Sequence, residues 1–339
     1  MQGVSLNKRD VVRVVSGSTG LAEASAAKVV DTIFDTIRGA LKQGESVDLD
    51  GFGSFQVNGG LIKDLDESLY LEKNPDVREA VRRNEFTSGR SHYRRFGQYE
   101  NRPGTPPSRR PPYFRLVSPV PPAHLRKRVH GTEDRASFES IGETVAEDLL
   151  EVIRTRAQLG PQSRVLDFGC GCGRVMTYLR DLQSPWLYGT DIDKQAIAWC
   201  KENLFEFASF TVNSEWPPLP FEDDFFDLIF SVSIFTHLPE TMQFAWLEEL
   251  RRASKPGALV LLSVHGEHLV PEGNARERLV QAGFLYVTGY STEGLPDFYQ
   301  MTYHTEHYIK EHWGKFFQIE AILKRGINDH QDLVVCRSR

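Results

Sequence analysis

Two stretches of this 339-residue chain concentrate groups that could do chemistry. Val165-Leu-Asp-Phe-Gly-Cys-Gly-Cys-Gly-Arg174 sets Asp167 two residues ahead of three alternating glycines, and Tyr188-Gly-Thr-Asp-Ile-Asp193 sets Asp191 eighteen positions past the last glycine. Arg164–Phe168 is a short apolar run suited to a buried parallel strand. Gly169, Gly171 and Gly173 permit a tight turn and close approach of a ligand to the backbone. Arg174–Asp181 reads as helix, and Trp186–Thr190 as a second strand ending at Asp191. Strand, glycine turn, helix, strand, acid is the nucleotide-binding half of a doubly wound α/β fold, and an acid at that strand tip can accept hydrogen bonds from both ribose hydroxyls.

The spacing narrows the nucleotide. It is Gly-x-Gly-x-Gly rather than Gly-x-Gly-x-x-Gly, and no Lys-Ser/Thr follows to cradle phosphates. Asp167 would repel a pyrophosphate but suits a ligand bearing an ammonium and a sulfonium, which describes S-adenosylmethionine. The run from Asp167 to Gly173 together with Asp191 closely resembles the Rossmann-like S-adenosylmethionine-dependent methyltransferases of the type 11/12/25-like group. The resemblance extends from about Ser137 to Arg339. It implies a doubly wound, mostly parallel seven-stranded α/β sheet with an antiparallel last strand, preceded here by small, mainly helical modules. Ser209–Asn213 matches its third strand, Asp227–Ser233 its fourth, Pro239–Ser254 the next helix, ended by Lys255-Pro256-Gly257, and Ala258–Val264 its fifth strand. The cofactor-binding residues it implies are Asp167, Phe168, Gly169, Cys170, Gly171, Gly173, Asp191, Ile192, Asn213, Ser214 and Ser231. Relatives often carry Asp where this chain has Asn213; an amide can still hydrogen-bond.

A sulfonium methyl is already electrophilic, so the protein's task is to hold a nucleophile in line at about 3–3.5 Å and exclude water. A base is needed only where the nucleophile is protonated. Ser233-Ile-Phe-Thr-His-Leu238 resembles the loop beside the active site, and His237 could deprotonate a hydroxyl or simply line the pocket. His265 follows strand five and reads as a turn histidine. Gly266 to Trp313 is too long for a simple connection and is expected to cap the site. Its Tyr290, Phe298, Tyr299, Tyr303, His304 and His307 could form cap core or substrate wall. The last two strands are expected at Phe316–Leu323 and Leu333–Cys336. Thr302-Tyr303-His304 and His330-Gln331-Asp332 resemble terminal features of a bacterial subgroup, so Tyr303, His304 and Gln331 join His237 as catalytic candidates meeting over the substrate.

The amino-terminal part differs in kind. A short amphipathic helix from Asn7, a turn at Gly20, a helix over Glu23–Leu41 and a hairpin around Asp50-Gly-Phe-Gly53 resemble the first half of the bacterial HU/IHF nucleoid proteins. That family dimerises and grips DNA with long β-arms. The similarity stops near Val57, before the arm, and residues 1–63 are electrically neutral, with seven bases and seven acids. A helical dimerisation module that has lost its DNA grip is therefore favoured over DNA binding. Asp64 to Arg102 reads as a small helical interaction module, with Asn74 placed to cap and Pro75 at the first helical position. Pro103–Pro122 holds eight prolines and reads as an extended linker. The expected domains are 1–60, 61–102, 103–124 and 125–339.

Charge bears on the substrate. Residues 64–130 carry fourteen bases against eight acids, whereas residues 131–339 carry thirty-one acids against nineteen bases. An acidic catalytic domain disfavours a nucleic-acid acceptor, and a small-molecule or saccharide O- or N-nucleophile is expected. With 40% hydrophobic residues the chain can bury a sizeable core, yet it has no eighteen-residue apolar stretch and no apolar signal core, so no membrane span and a cytoplasmic location are expected. Cys170, Cys172, Cys200 and Cys336 form no Cys-x-x-Cys pair, so neither a disulfide framework nor a metal site is expected. Two competing readings are a nicotinamide-dependent oxidoreductase, which Asp167 and the glycine spacing oppose, and a DNA-associated protein whose methyltransferase-fold domain is regulatory or inactive.

Overall fold

The computed structural model describes residues 8–42, 47–49, 53–57, 65–83, 86, 88–93, 102, 114–117, 119–179, 182, 186–205, 208–292 and 294–339. The chain divides into two units, Met1–Asp66 with Asn101–Ser118, and Glu67–Glu100 with Pro119–Arg339. In the first unit, α1 (Lys8–Thr19) turns at Gly20, whose φ of 71° suits glycine, into α2 (Glu23–Lys42). Val12, Ala26 and Val30 close the contact between the two helices. Val29, Ile33 and Phe34 of α2 remain exposed, at 43%, 50% and 43%. Strands β1 (Val47–Leu49) and β2 (Gly53–Val57) pair antiparallel; the expected turn residues 50–52 lie outside the described residues.

The chain then enters the second unit. Helices α3 (Glu67–Lys73), α4 (Pro75–Arg82) and α5 (Gly89–His92) pack together, and the Tyr70 hydroxyl meets His92 Nδ1 at 3.0 Å in their midst. Pro75 opens α4 as its fixed φ favours, but Asn74 does not cap with its side chain. Its amide instead donates to Tyr70 O at 2.8 Å, closing the end of α3. The expected second helix of this module extended to Gly97, and residues 94–97 lie outside the described residues. So does most of the proline-rich stretch, yet at its end β3 (Phe114–Val117) pairs antiparallel with β2, from Ser54↔Val117 to Val57↔Phe114. A strand there was not expected, because eight prolines dominate the reading of residues 103–122 and mask four residues of β-compatible sequence.

From Pro119 onward the second unit is an α/β sandwich. Helix α6 (Ala123–His130) ends at left-handed Gly131, and α7 (Arg135–Arg156) starts on Asp134, whose carboxylate accepts from Ser137 N. There follow β4 (Arg164–Phe168), the short α8 (Met176–Leu179), β5 (Trp186–Asp191), α9 (Lys194–Asn203), β6 (Ala208–Val212), β7 (Phe226–Ser231), α10 (Glu240–Ala253) and β8 (Ser254–Val264). Beyond a 3₁₀ turn come α11 (Asn274–Ala282), β9 (Phe284–Val287), β10 (Met301–His304), α12 (Glu306–His312), β11 (Phe317–Ile327) and β12 (Gln331–Ser338). The seven-stranded sheet runs β11-β12-β8-β7-β4-β5-β6, and only β12 opposes the others. Helices α7 and α9 cover one face through Leu149, Ile153 and Ile197. Helices α10 and α12 cover the other through Trp246, Leu250 and Ile309. Strands in such a sheet are apolar on both sides, which is why β4, β7 and β8 read as continuous apolar runs.

Two expectations shift by a few residues. The helix after the glycine turn is confined to α8, because residues 171–175 are spent in turn conformation. Lys255-Pro256-Gly257 lies inside β8 as an irregularity between the pairs Phe226↔Ser254 and Leu228↔Leu259. The helix α10 has ended before it, and Pro256 is tolerated where the ladder is interrupted.

Candidate active site

Strand β4 lies between β5 and β7, so the connections diverge from its carboxyl end. That is where an open sheet leaves a crevice. The pocket there is lined by Asp167, Phe168, Gly169, Cys170, Gly171, Asp191, Ile192 and Asn213 among the residues expected from sequence. The glycine turn is pinned by Gly169 N and Cys170 N, both donating to Thr190 O at 2.8 and 2.9 Å. Gly169 has φ of 81°, and a Cβ there would lie 2.2 Å from Ile234 Cγ1. A Cβ on Gly171 would lie 2.8 Å from Val129 Cγ2. Both glycines are therefore required by conformation and by space.

Asp191 is clasped at the tip of β5. Its Oδ2 accepts from Gly171 N and its Oδ1 from Asp193 N, each at 2.8 Å. Burial raises its pKa, and those two backbone donors oppose the rise. Asp167, 3% exposed, has no such donors; burial first, then the Asp191 charge, push its carboxyl well above the usual range, against the pull of Arg174. A cation placed beside it would favour the ionised form. Asn213 continues the wall from β6, donating from its amide to Ser214 O while its Oδ1 is buried without a partner.

Three expected cofactor residues do not line the pocket. Gly173 faces Leu204, Ser214 is exposed, and Ser231 Oγ donates to Phe168 O at 2.8 Å, tying β7 to β4 beneath the turn. The thiols of Cys170 and Cys172 are buried, and burial raises both, that of Cys172 to about 12; such thiols are poor nucleophiles and poor metal ligands. Among the described residues no His, Cys, Asp and Glu cluster could hold a metal, and no helix is long and apolar enough to cross a membrane.

The four catalytic candidates stand behind the wall rather than in it. His237 stacks on Tyr299 at 4.2 Å between ring centroids, and its Nδ1 donates to Gln300 O at 2.7 Å. Burial pushes its pKa down to about 4. Gln331 Nε2 donates to Ser233 Oγ at 2.8 Å, and Ser233 does line the pocket. His304 is fully inside the core, with Nε2 against Gln243 Oε1 at 2.9 Å. Tyr303 packs with Val270, Leu279 and Leu285 under β9 and β10. The structure thus brings His237 and Gln331 up to the pocket's Tyr299–Ser233 edge and leaves His304 and Tyr303 further back. The aromatic cluster of the cap divides accordingly: Phe298 and Tyr299 are wall, Tyr303 is cap core, and Tyr290 is exposed.

Phe298 and Tyr299, which the sequence left open between cap core and substrate wall, stand in the wall, whereas Leu295 and Arg174 were not singled out. Tyr299 donates its hydroxyl to Ser233 O at 2.8 Å, locking the cap to the loop after β7, where Ser233 takes a φ of 62°. Leu295 and Phe298 join it from the cap. Arg128 reaches in from α6 and pairs with Asp193 at 2.5 Å. Arg174 directly follows the last glycine of the turn, and that adjacency was the available signal for it.

Two stretches of the chain match known families. Residues 165–257 match the model of a methyltransferase domain, and residues 6–60 match that of the bacterial DNA-binding proteins. The chain is 37% identical over 76 residues to DNA-binding protein HU-1 of Halalkalibacterium halodurans, covering 22% of this chain and 77% of the relative. It is 34% identical over 76 residues to DNA-binding protein HU 1 of Bacillus subtilis, covering 22% and 75%. Among solved structures, an S-adenosylmethionine-dependent methyltransferase from Aquifex aeolicus superposes with a TM-score of 0.42 at 17% identity, over 65% of this chain and all of the other. The chain belongs, through its amino-terminal segment, to the HU family of bacterial DNA-binding proteins, and it carries a methyltransferase domain behind that segment.

Proposed function

We infer that the second unit is an S-adenosylmethionine-dependent methyltransferase whose acceptor is a small molecule or saccharide bearing a hydroxyl or amine. The observation that carries this is the pair of buried carboxylates at the switch point. Asp191 is held by Gly171 N and Asp193 N in the place that suits a ribose diol, and the buried Asp167 shares the pocket with it. The glycine turn leaves a cradle that two Cβ atoms would fill, and Asn213 Oδ1 is an unused buried acceptor beside it. These residues fit the cofactor: Asp191 for the ribose, Asp167 for the ammonium, Ile192 and Asn213 for the base. The bound cofactor supplies an electrophilic methyl group; the chain's part is to place and shield the acceptor.

Leu295, Phe298 and Tyr299 of the cap, with Ile234 and Leu238 below, exclude water from that part of the pocket. His237 stands behind Tyr299 and positions that wall residue by stacking on it. Its Nδ1–H is committed to Gln300 O, so the lone pair lies on Nε2, and burial keeps the ring neutral. Gln331 holds Ser233 at the pocket edge, and Tyr303 and His304 support the cap from behind. A net acidic body does not favour a polyphosphate acceptor.

The first unit is a dimerisation module. Its exposed Val29, Ile33 and Phe34 lie on α2, and its neutral sequence does not favour minor-groove gripping. Titration calorimetry with S-adenosylmethionine, S-adenosylhomocysteine and NAD tests the enzymatic reading. Both adenosyl ligands should bind and Asp191→Ala should abolish binding. Binding of NAD instead, or no binding by the folded chain, overturns it.

A further inference from the structure

Asp191, Ile192 and Asn213 line the pocket from the ends of β5 and β6, on one side of β4, and β7 lies on its other side. The loop after β7 brings Ser233, Ile234 and Leu238 to that second side, and the cap brings Leu295, Phe298 and Tyr299. With the methyl donor on the first side, an acceptor has the second. Ile234, Leu238, Leu295 and Phe298 offer it only hydrocarbon, and the Tyr299 hydroxyl is already donated to Ser233 O at 2.8 Å. Of these six, Ser233 therefore carries the one side-chain proton left to offer.

Three elements hold that serine. Its N–H donates to Ser263 Oγ of β8 at 2.8 Å, its carbonyl accepts from Tyr299, and its Oγ accepts from Gln331 Nε2 of β12 at 2.8 Å. Together they fix a non-glycine residue at a φ of 62°, a conformation that persists only where the surroundings determine it. Gln331 is itself 8% exposed. Because its amide N–H is aimed at Oγ, the serine's own proton is turned away from β12, and among the described residues no group accepts it.

We propose that this wall takes an aromatic or otherwise conjugated acceptor methylated on an acidic hydroxyl, a phenol or an enol, bound as its anion against Ser233 Oγ–H, with Gln331 as the residue that positions this proton. The proposal rests on the methyltransferase reading above and names the acceptor class within it. A saccharide or plain alcohol would need a base, and its further hydroxyls would be buried without partners. Among the six residues only Tyr299 can titrate, and burial raises its pKa, while His237 stands behind it. A neutral amine has a single lone pair, and a hydrogen bond from Ser233 would occupy the pair that must attack. A phenolate has lone pairs for both, and its ring matches Phe298 and Tyr299. Its charge is answered by the sulfonium of the methyl donor. In the transfer an aryl O–CH3 bond forms, the S–CH3 bond breaks with its electron pair left on sulfur, and S-adenosylhomocysteine departs. No proton moves in that step, since the phenol gave its proton to solvent before binding.

The test is calorimetry on the full chain saturated with sinefungin, whose ammonium replaces the sulfonium, at about pH 8. The probes are 4-nitrophenol, its methyl ether 4-nitroanisole, and glucose. The phenolate should bind about 10- to 100-fold more tightly than the ether, the range for a charge-assisted hydrogen bond, and glucose should give no heat of binding. Ser233→Ala should erase the preference while leaving the ether within a few-fold. Gln331→Met should narrow the preference, and combined with Ser233→Ala it should narrow it no further, whereas a merely structural role would weaken phenolate and ether alike. Equal binding of phenolate and ether by the unaltered protein, no binding of the phenolate, or binding of glucose overturns the proposal whether or not any variant folds. So does a Ser233→Ala variant that keeps the preference. Failure of the unaltered protein to bind sinefungin or S-adenosylmethionine is a different result and removes the methyltransferase reading itself.

Discussion

Acid should destabilise the second unit through histidines that are neutral in the fold. Burial pushes His237 down to about 4 and His265 and His304 to about 3. His304 shows why. Gln243 donates its amide to Phe235 O and Leu238 O, both at 3.0 Å, so its Oε1 is turned to accept from His304 Nε2. His304 Nδ1 is buried with no partner, and a proton added there would find no acceptor. The unfolded chain titrates near about 6.5 and binds its protons first. The folded values are depressed, so this stability is complete above about pH 6.5 and is lost as pH falls toward the folded values. At pH 5 each of these histidines would have cost about 2 kcal/mol, about 6 for the three, on the scale of a whole domain's net stability. Asp167 and Asp191, both raised by burial, act with the opposite sign. A difference measurement removes that offset. Urea unfolding followed by tryptophan fluorescence at pH 7.5, 6.5, 5.5 and 5.0 should show a pH slope that falls by about one proton in His304→Gln, or about 2 kcal/mol between pH 6.5 and 5. An unchanged slope in the variant, or stability that is flat across the range, would refute the reasoning.

Two further outcomes are expected. Gly169→Ala introduces a Cβ 2.2 Å from Ile234 Cγ1 at a φ of 81°, so it should weaken adenosyl-ligand binding at least about tenfold and lower the melting temperature; calorimetry and thermal denaturation check both. Ile33→Asp with Phe34→Asp, on the exposed face of α2, should convert a dimer into a monomer by light scattering and leave methyl-donor affinity unaltered. A chain that is monomeric before substitution would contradict the dimerisation reading.

What could be read from sequence was what is local. Asp167, the glycines and Asp191 lie within one strand-turn-helix-strand unit, so their spacing alone sets their geometry. The choice between cap core and wall for Tyr299 was not legible, since its partner Ser233 lies 66 residues away and only the folding of the cap joins them. The same distance explains the catalytic candidates. Tyr303 and His304 sit on β10, where alternation sends neighbouring side chains to opposite faces: one enters the cap cluster and the other the main core. Arg174 was visible as a letter beside the turn, but its place in the pocket wall over the Phe138 ring is a property of the packed structure.

The pairing of β2 with β3 across residues 58–113 has a consequence in time. At an elongation rate of about 5–20 residues per second, β2 leaves the ribosome about 3–11 s before β3 exists. Throughout that interval its outer edge offers unpaired amides and carbonyls to any passing strand. Nascent copies on one messenger meet in that window, and a β3 taken from a neighbour would satisfy the edge as well as the chain's own. Any fragment that stops short of residue 114 would keep the same edge open permanently.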